Sequence, residues 1–134
     1  MNTLFFSSRD DLITRTLRIA VQQAIPVSRI ELFEKLEDIE TRLRTPVEPD
    51  SIAVLSVSNR EELRKIQRLR QLLPEIYVVL IIPDRKKSTL ALAHLLLPRF
   101  LIQQGSDFGA LTIVLHKMYT NSLLPKGGIL FSEA

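Results

Sequence analysis

Five times along this chain, a short run of branched or aromatic apolar residues is followed by a longer segment whose apolar positions recur at helical spacing. Runs of the first kind read as strands, and segments of the second kind as amphipathic helices. Such strict alternation leaves few folds open. Consecutive strands joined through a helix run parallel, the crossovers are right-handed in nearly all proteins, and the helices must then cover both faces of one sheet. The alternation predicts an α/β domain with a single five-stranded parallel sheet and five helices.

The first run is Thr3 to Phe6. Ser8 is placed to cap the helix that follows, with Asp11 three residues on in a capping-box position. Ile13, Leu17, Ala20, Val21 and Ala24 form its buried stripe, and Pro26 stops it. The second run, Arg29 to Phe33, alternates charge with Ile30 and Leu32, as an edge strand does. Leu36, Ile39 and Leu43 mark a short helix ending at Thr45-Pro46. The third run (Ser51 to Val57) and the fourth (Tyr77 to Ile82) are continuously apolar, as strands covered on both faces are. Between them, Ser58 or Asn59, followed by Glu61 and Glu62, starts a helix whose inner stripe is Leu63, Ile66, Leu69 and Leu73. A very apolar helix spans Ser88 to Leu97 and ends at Pro98, a strand runs from Arg99 to Gln103, and the last helix repeats Leu111, Val114, Leu115 and Met118. Residues 1–120 form one domain in this reading, and residues 121–134, with Ile129, Leu130 and Phe131, form a C-terminal tail.

Composition excludes several chemistries. There is no cysteine, so disulfides and thiolate metal sites are ruled out, and His94 and His116 are too few for a histidine-rich one. No nucleophile or third ligand stands near either histidine, and no cofactor is expected. All four glycines lie at or beyond Gly105, so no glycine-rich phosphate loop is available. No segment approaches the roughly 20 apolar residues of a membrane span. The first residues reach Arg9 without the basic region and long apolar stretch of a signal peptide. A cytoplasmic chain with no membrane partner is the expectation. The net charge of +3 is modest and acids are mixed among the bases, which argues against a dedicated nucleic-acid binder.

Five evenly spaced βα units of this length resemble a response-regulator receiver domain, over residues 3 to about 119. The resemblance implies a flavodoxin-like sheet ordered 2-1-3-4-5. It also implies a phosphorylation pocket at the C-terminal ends of the strands. In that family an acidic pair after the first strand holds Mg²⁺ and an aspartate ending the third strand accepts the phosphoryl group. A Ser or Thr after the fourth strand, a lysine ending the fifth and a proline after it complete the pocket. Here Ser7 and Ser8 stand in place of the acidic pair and Ser56 in place of the aspartate. Ile82 or Pro83 replaces the hydroxyl residue, Gln103 the lysine and Gln104 the proline. Asp10 and Asp11 come later, in the first helical turn, where carboxylates complement the helix dipole. A serine hydroxyl is a weak nucleophile without a neighbouring base, and phosphoryl transfer depends on metal and fixed charge around the transferring group. The chain thus resembles a degenerate, or pseudo-receiver, domain, and no enzymatic activity is expected.

Three surfaces remain to be weighed. Ser7, Ser8, Arg9, Ser56, Ser58, Asn59, Arg60, Arg85, Lys86 and Gln103 line the mouth of the sheet. Helix N-termini gathered there suit an anion or a nucleotide, although the same residues serve equally as caps and solvated loop positions. Arg60, Arg64 and Arg68 recur at i, i+4, i+8, joined by Lys65 and Arg70. Glu61 can pair with Lys65 across one turn, which favours a solvated helix face. The helix from Ser88 to Leu97 is apolar nearly all round, whereas a helix lying on a sheet needs only one apolar stripe. Its outer side requires a cover: a second copy of the chain, another partner, or the tail. In receivers the face of the fourth helix, fifth strand and fifth helix is the usual dimer and output surface. The resemblance therefore implies an interface at Leu90, Leu92, Leu95, Leu96 and Phe100. The expected function is a phosphorylation-independent interaction module of signalling or regulation, binding a protein partner or itself. The alternative is a sensor that takes a small anionic ligand or nucleotide at the C-terminal edge of the sheet.

Overall fold

Successive side chains of a strand point to opposite faces, so a strand that is apolar at every position has to be covered on both sides. The computed structural model, which describes residues 2–73 and 76–122, shows how the chain does this. In order along the chain come β1 (Thr3–Ser7), α1 (Leu12–Ala24), β2 (Ile30–Phe33), α2 (Leu36–Leu43) and β3 (Ile52–Ser56). They are followed by α3 (Arg60–Gln67), β4 (Tyr77–Ile82), α4 (Lys87–His94), β5 (Phe100–Gln103) and α5 (Gly109–Ser122). The strands form one parallel sheet in the order β2-β1-β3-β4-β5, the flavodoxin-like arrangement.

Strand alternation divides the core in two. Leu4, Phe6, Ala53, Leu55, Leu80 and Ile82 face α2, α3 and α4, where Ile39, Leu63, Ile66 and Ala93 meet them. Phe5, Ile52, Val54, Val79, Ile81 and Ile102 face α1 and α5 and pack on Leu17, Val21, Leu111 and Leu115. The Thr112 hydroxyl donates to the Ala20 carbonyl at 3.1 Å, joining these last two helices. β2 is an edge strand, as its mixed pattern suggests. Arg42 of α2 clamps it with a forked pair of hydrogen bonds to Glu31, 2.7 and 3.1 Å long. Both cores are built from the stripes read in the sequence.

Helix ends depart from expectation in three places. α3 ends at Gln67, so that Leu69 and Leu73 of its expected stripe flank a separate 3-10 turn at Arg70–Leu72. α1 begins at Leu12 and not after Ser8, because Asp11 is its N-cap and accepts a hydrogen bond from the Thr14 N–H at 2.9 Å. Aspartate and serine cap equally well, and the later start lets Thr14, on the inner face of α1, reach the Ser7 hydroxyl. α4 ends at His94, short of the expected Leu97. Leu96 and Leu97 close tight turns onto Ala93 and His94, and Leu97 takes a φ of +51°. The residue before a proline is disfavoured in the helical region. The chain must also swing so that the Arg99 N–H meets the Val78 carbonyl at 2.7 Å, where β5 begins to pair. The expected domain boundary at residue 120 falls inside α5. The proposed cover of α4 by Ile129, Leu130 and Phe131 lies outside the described residues.

Candidate functional site at the C-terminal edge of the sheet

Strand register sets Ser7 beside Ser56, and Ser56 beside Ile81. Ile82 pairs with Gln103 on the next strand. Ser7 and Ser56 are buried, 3% and 2% exposed. The Ser7 hydroxyl lies 2.9 Å from that of Thr14, donates to the Arg9 carbonyl at 3.2 Å and accepts from the Arg9 N–H at 3.3 Å. Its hydrogen-bonding capacity is used up in shaping the β1–α1 loop. The Ser8 and Ser58 hydroxyls are 3.1 Å apart and link the loops after β1 and β3.

Gln104 spans the mouth. Its Oε1 accepts from Arg9 Nη2 at 2.8 Å, while its Nε2 donates to the Val57 carbonyl at 2.7 Å. The backbone N–H of Gln104 bonds to the Ile82 carbonyl, and that of Val57 to the Ile81 carbonyl, both at 2.8 Å. Arg9 also reaches Asp11 at 3.2 Å. One side chain after β5 thus ties together the loops after β1 and β3. The sequence marked Gln104 only as the occupant of a proline position, since a bridging glutamine and a solvated one look alike in sequence. Gln103, in the lysine position, is half-buried and takes no part in this brace.

These residues do not fit the Mg²⁺ site that the fold family implies. Mg²⁺ is usually held by one or two carboxylates, whereas Ser7, Ser8 and Ser56 supply hydroxyls and Arg9 adds a cation beside them. Asp11 is committed to its cap. The Thr14 N–H, with a smaller contribution from Arg9, holds its carboxyl below the ordinary value. Asp10 is 69% exposed and pairs with Arg15 and Arg18 at 3.4 and 3.9 Å. Among the described residues no group of three or more His, Cys, Asp or Glu is placed to hold a metal ion. Ile82 is buried in the core beneath α4 and presents no hydroxyl.

The remaining mouth residues act mostly as caps. Asn59 caps α3 by accepting from the Glu62 N–H at 2.9 Å, and the Glu62 carboxylate accepts from the Ser58 N–H at 2.8 Å. Asp84 accepts from the Lys86 N–H at 2.9 Å. Its carboxyl is held low first by the neighbouring Thr89 hydroxyl, then by that N–H, with Lys86 and Arg60 adding their charge. Thr89 Oγ1 is buried and makes no hydrogen bond of regular geometry, so it acts on Asp84 as a near neighbour. A cleft bordered by Ser7, Arg9, Thr14 and Arg18 encloses about 100 Å³, below the range of about 300–1,000 Å³ for small-molecule sites. A wider cleft of about 440 Å³ lies between α2 and α3. Glu34, Glu37, Glu40 and Glu62 line it against Lys35, Lys65 and Arg68, so it gives an anion no excess of positive charge.

On the opposite flank, the predicted interface residues separate. Leu96 is only 5% exposed and belongs to the core, so it is withdrawn from any binding surface. Leu90 and Leu92 are half-buried against the same core, and Phe100 against the other. Leu95 at 50% and Leu97 at 81% are exposed, as is Ile113 on α5. α4 is therefore less bare than its composition suggested, because its turn into β5 folds Leu96 inward. His94 and His116 are exposed on separate helices.

The sequence matches no protein-family model and no curated protein. Among solved structures, the chain is similar to a response regulator from Colwellia psychrerythraea, with 16% identity and a TM-score of 0.69 over 90% of this chain and 98% of that one. It is similar at 21% identity and TM-score 0.66, over the same shares, to a protein described as the pilus assembly protein CpaE of Burkholderia thailandensis. A CheY-like response regulator receiver domain protein from Methanospirillum hungatei gives 12% identity and a TM-score of 0.53, over 89% of this chain and 97% of that one. At such identities likeness speaks for architecture, and this chain has the flavodoxin-like fold of the response-regulator receiver domains.

Proposed function

We propose that the chain is a receiver-like module of cytoplasmic signalling or regulation, which binds protein without being phosphorylated and catalyses no reaction. The observation that carries this reading is the Arg9–Gln104–Val57 brace. Of the positions that bind metal and phosphoryl group in the resembling family, Ser7 is hydrogen-bonded to Thr14 and Arg9, and Ser8 to Ser58. Arg9, which Gln104 holds, brings a guanidinium to the same mouth. The surface left for binding is the flank of α4, β5 and α5, where Leu95, Leu97 and Ile113 stand exposed. Such residues supply the apolar centre of an interface. The fold neighbours, one described as a response regulator and one as a pilus assembly protein, support a role in regulation or assembly.

A second copy of the chain is the simplest partner, since a two-fold interface uses one self-complementary patch. Sedimentation velocity over a concentration series tests this. The wild type is expected to dimerise, and Leu95→Glu to remain monomeric with an unchanged thermal melt. A wild type monomeric throughout, or a dimer indifferent to Leu95→Glu, contradicts the proposal.

A further inference from the structure

Positive charge on this molecule is unevenly neutralised. The six arginines before residue 50 each reach a carboxylate, at 2.7 to 3.9 Å. Arg99 lies over the Tyr77 ring, 5.1 Å from its centroid. The stretch 60–70 behaves differently. Arg60, Arg64, Lys65, Arg68 and Arg70 are all exposed, and Arg64 alone has a carboxylate partner among the described residues, Glu61 at a long 3.5 Å. The Glu61–Lys65 pair allowed by spacing does not form.

Arg85, Lys86 and Lys87, at the entrance to α4, add three exposed cations without an ion pair among the described residues. Two contacts hold this loop and α4 against α3: Arg60 Nη1 to Ser88 Oγ at 2.6 Å, and Gln67 Nε2 to the Leu92 carbonyl at 2.7 Å. Together, residues 60–70 and 84–87 carry eight cations against three carboxylates, while the rest of the chain carries ten against twelve. The net positive charge of the protein is concentrated in these two segments. Lys65 and Arg68 face Glu34, Glu37 and Glu40 across the cleft toward α2, so the excess lies with Arg60, Arg64, Arg70, Arg85, Lys86 and Lys87.

We infer that the outer face of α3 and the β4–α4 loop form a docking surface for an acidic segment of a partner protein. Unpaired cations on fixed elements raise a local positive potential that steers and orients an anionic partner. Three features favour an acidic polypeptide over a nucleic acid. Glu61, Glu62 and Asp84 are interleaved with the cations, a mixed pattern that opposes a uniformly charged phosphate backbone. Residues 60–70 and 84–87 contain no aromatic side chain on which a base could stack. Half-buried Leu90 and Leu92 of the adjoining α4 provide apolar contact beside the charge, the composition of a protein interface. Its cations lie on α3, just after it and at the β4–α4 loop, and none of them belongs to the Leu95–Leu97 flank.

Fluorescence anisotropy with a labelled oligo-glutamate peptide tests the inference. The wild type should bind it, and binding should weaken as salt rises from about 0.01 to 0.15 M and the Debye length contracts from about 30 to 8 Å. Arg64→Glu/Arg68→Glu/Lys87→Glu should weaken binding at least about tenfold with an unchanged melt. The equally charged control Arg15→Glu/Arg44→Glu/Lys117→Glu should lose far less. Absence of peptide binding by the wild type overturns the inference, as do equal losses in the two variants. Tighter binding of oligo-dT or of phosphatidylglycerol vesicles than of the peptide overturns it as well. The sedimentation behaviour of Leu95→Glu does not enter these readings, so the two proposals fail separately.

Discussion

Gln104 shows how one side chain can tie the mouth of a sheet together. With both ends of its amide engaged, it holds the Arg9 guanidinium and the Val57 carbonyl in fixed positions at the mouth of the sheet. Gln104→Ala deletes both bonds and leaves a part-buried carbonyl without its donor. It should cost about 1–2 kcal/mol in urea unfolding, and a double-mutant cycle with Arg9→Ala should give a coupling of about 0.5–1 kcal/mol. Asp11 offers a second test at this scale. Its carboxyl is held below the ordinary value by the Thr14 N–H. Its contribution is therefore complete above the unfolded value of about 3.9 and is lost as pH falls through the lower folded value. Asp11→Asn keeps an acceptor at the cap but no titrating group there. Its thermal melt should fall less steeply than that of the wild type below about pH 4. Equal acid slopes would show that the cap does not couple to protonation.

Among the elements, buried stripes were legible in sequence and ends were not. Leu17, Ala20, Val21 and Ala24, or Leu63, Ile66 and Leu69, repeat with a clear phase, and each turned inward as read. α4 has no phase to read, because apolar residues stand at nearly every position from Leu90 to Leu97. Packing on α3 and the turn into β5 decide which of them is covered, and these are tertiary facts. The turn carries a cost in Leu97, whose left-handed backbone is unfavourable by about 1–2 kcal/mol for a residue with a side chain and whose exposure leaves little burial to lose. Leu97→Gly relieves that conformation while adding the unfolded-state freedom of glycine. Chemical denaturation should show a net gain of up to about 1 kcal/mol. A clear loss would mean that the leucine side chain is covered in solution.

For the molecule as a whole, βα alternation alone dictated one sheet with helices on two sides, and the resemblance supplied the strand order that the structure shows. The serines of the candidate site were also legible as occupants of pocket positions. Their hydrogen bonds were not, because Ser7–Thr14 and Arg9–Gln104 join residues that only the folded chain brings together. The same holds for charge. Acids and bases look evenly mixed along the sequence, yet folding pairs the six arginines before residue 50 with carboxylates. It leaves the cations of residues 60–70 and 85–87, Arg64 apart, without such a partner among the described residues. The phosphorylation-independent reading depends on a pocket that takes no phosphoryl group. Intact-mass spectrometry after incubation with acetyl phosphate and Mg²⁺ tests that directly. The brace and the missing carboxylates predict an unmodified chain at every time point, and a hydroxylamine-labile phosphoryl adduct would contradict them.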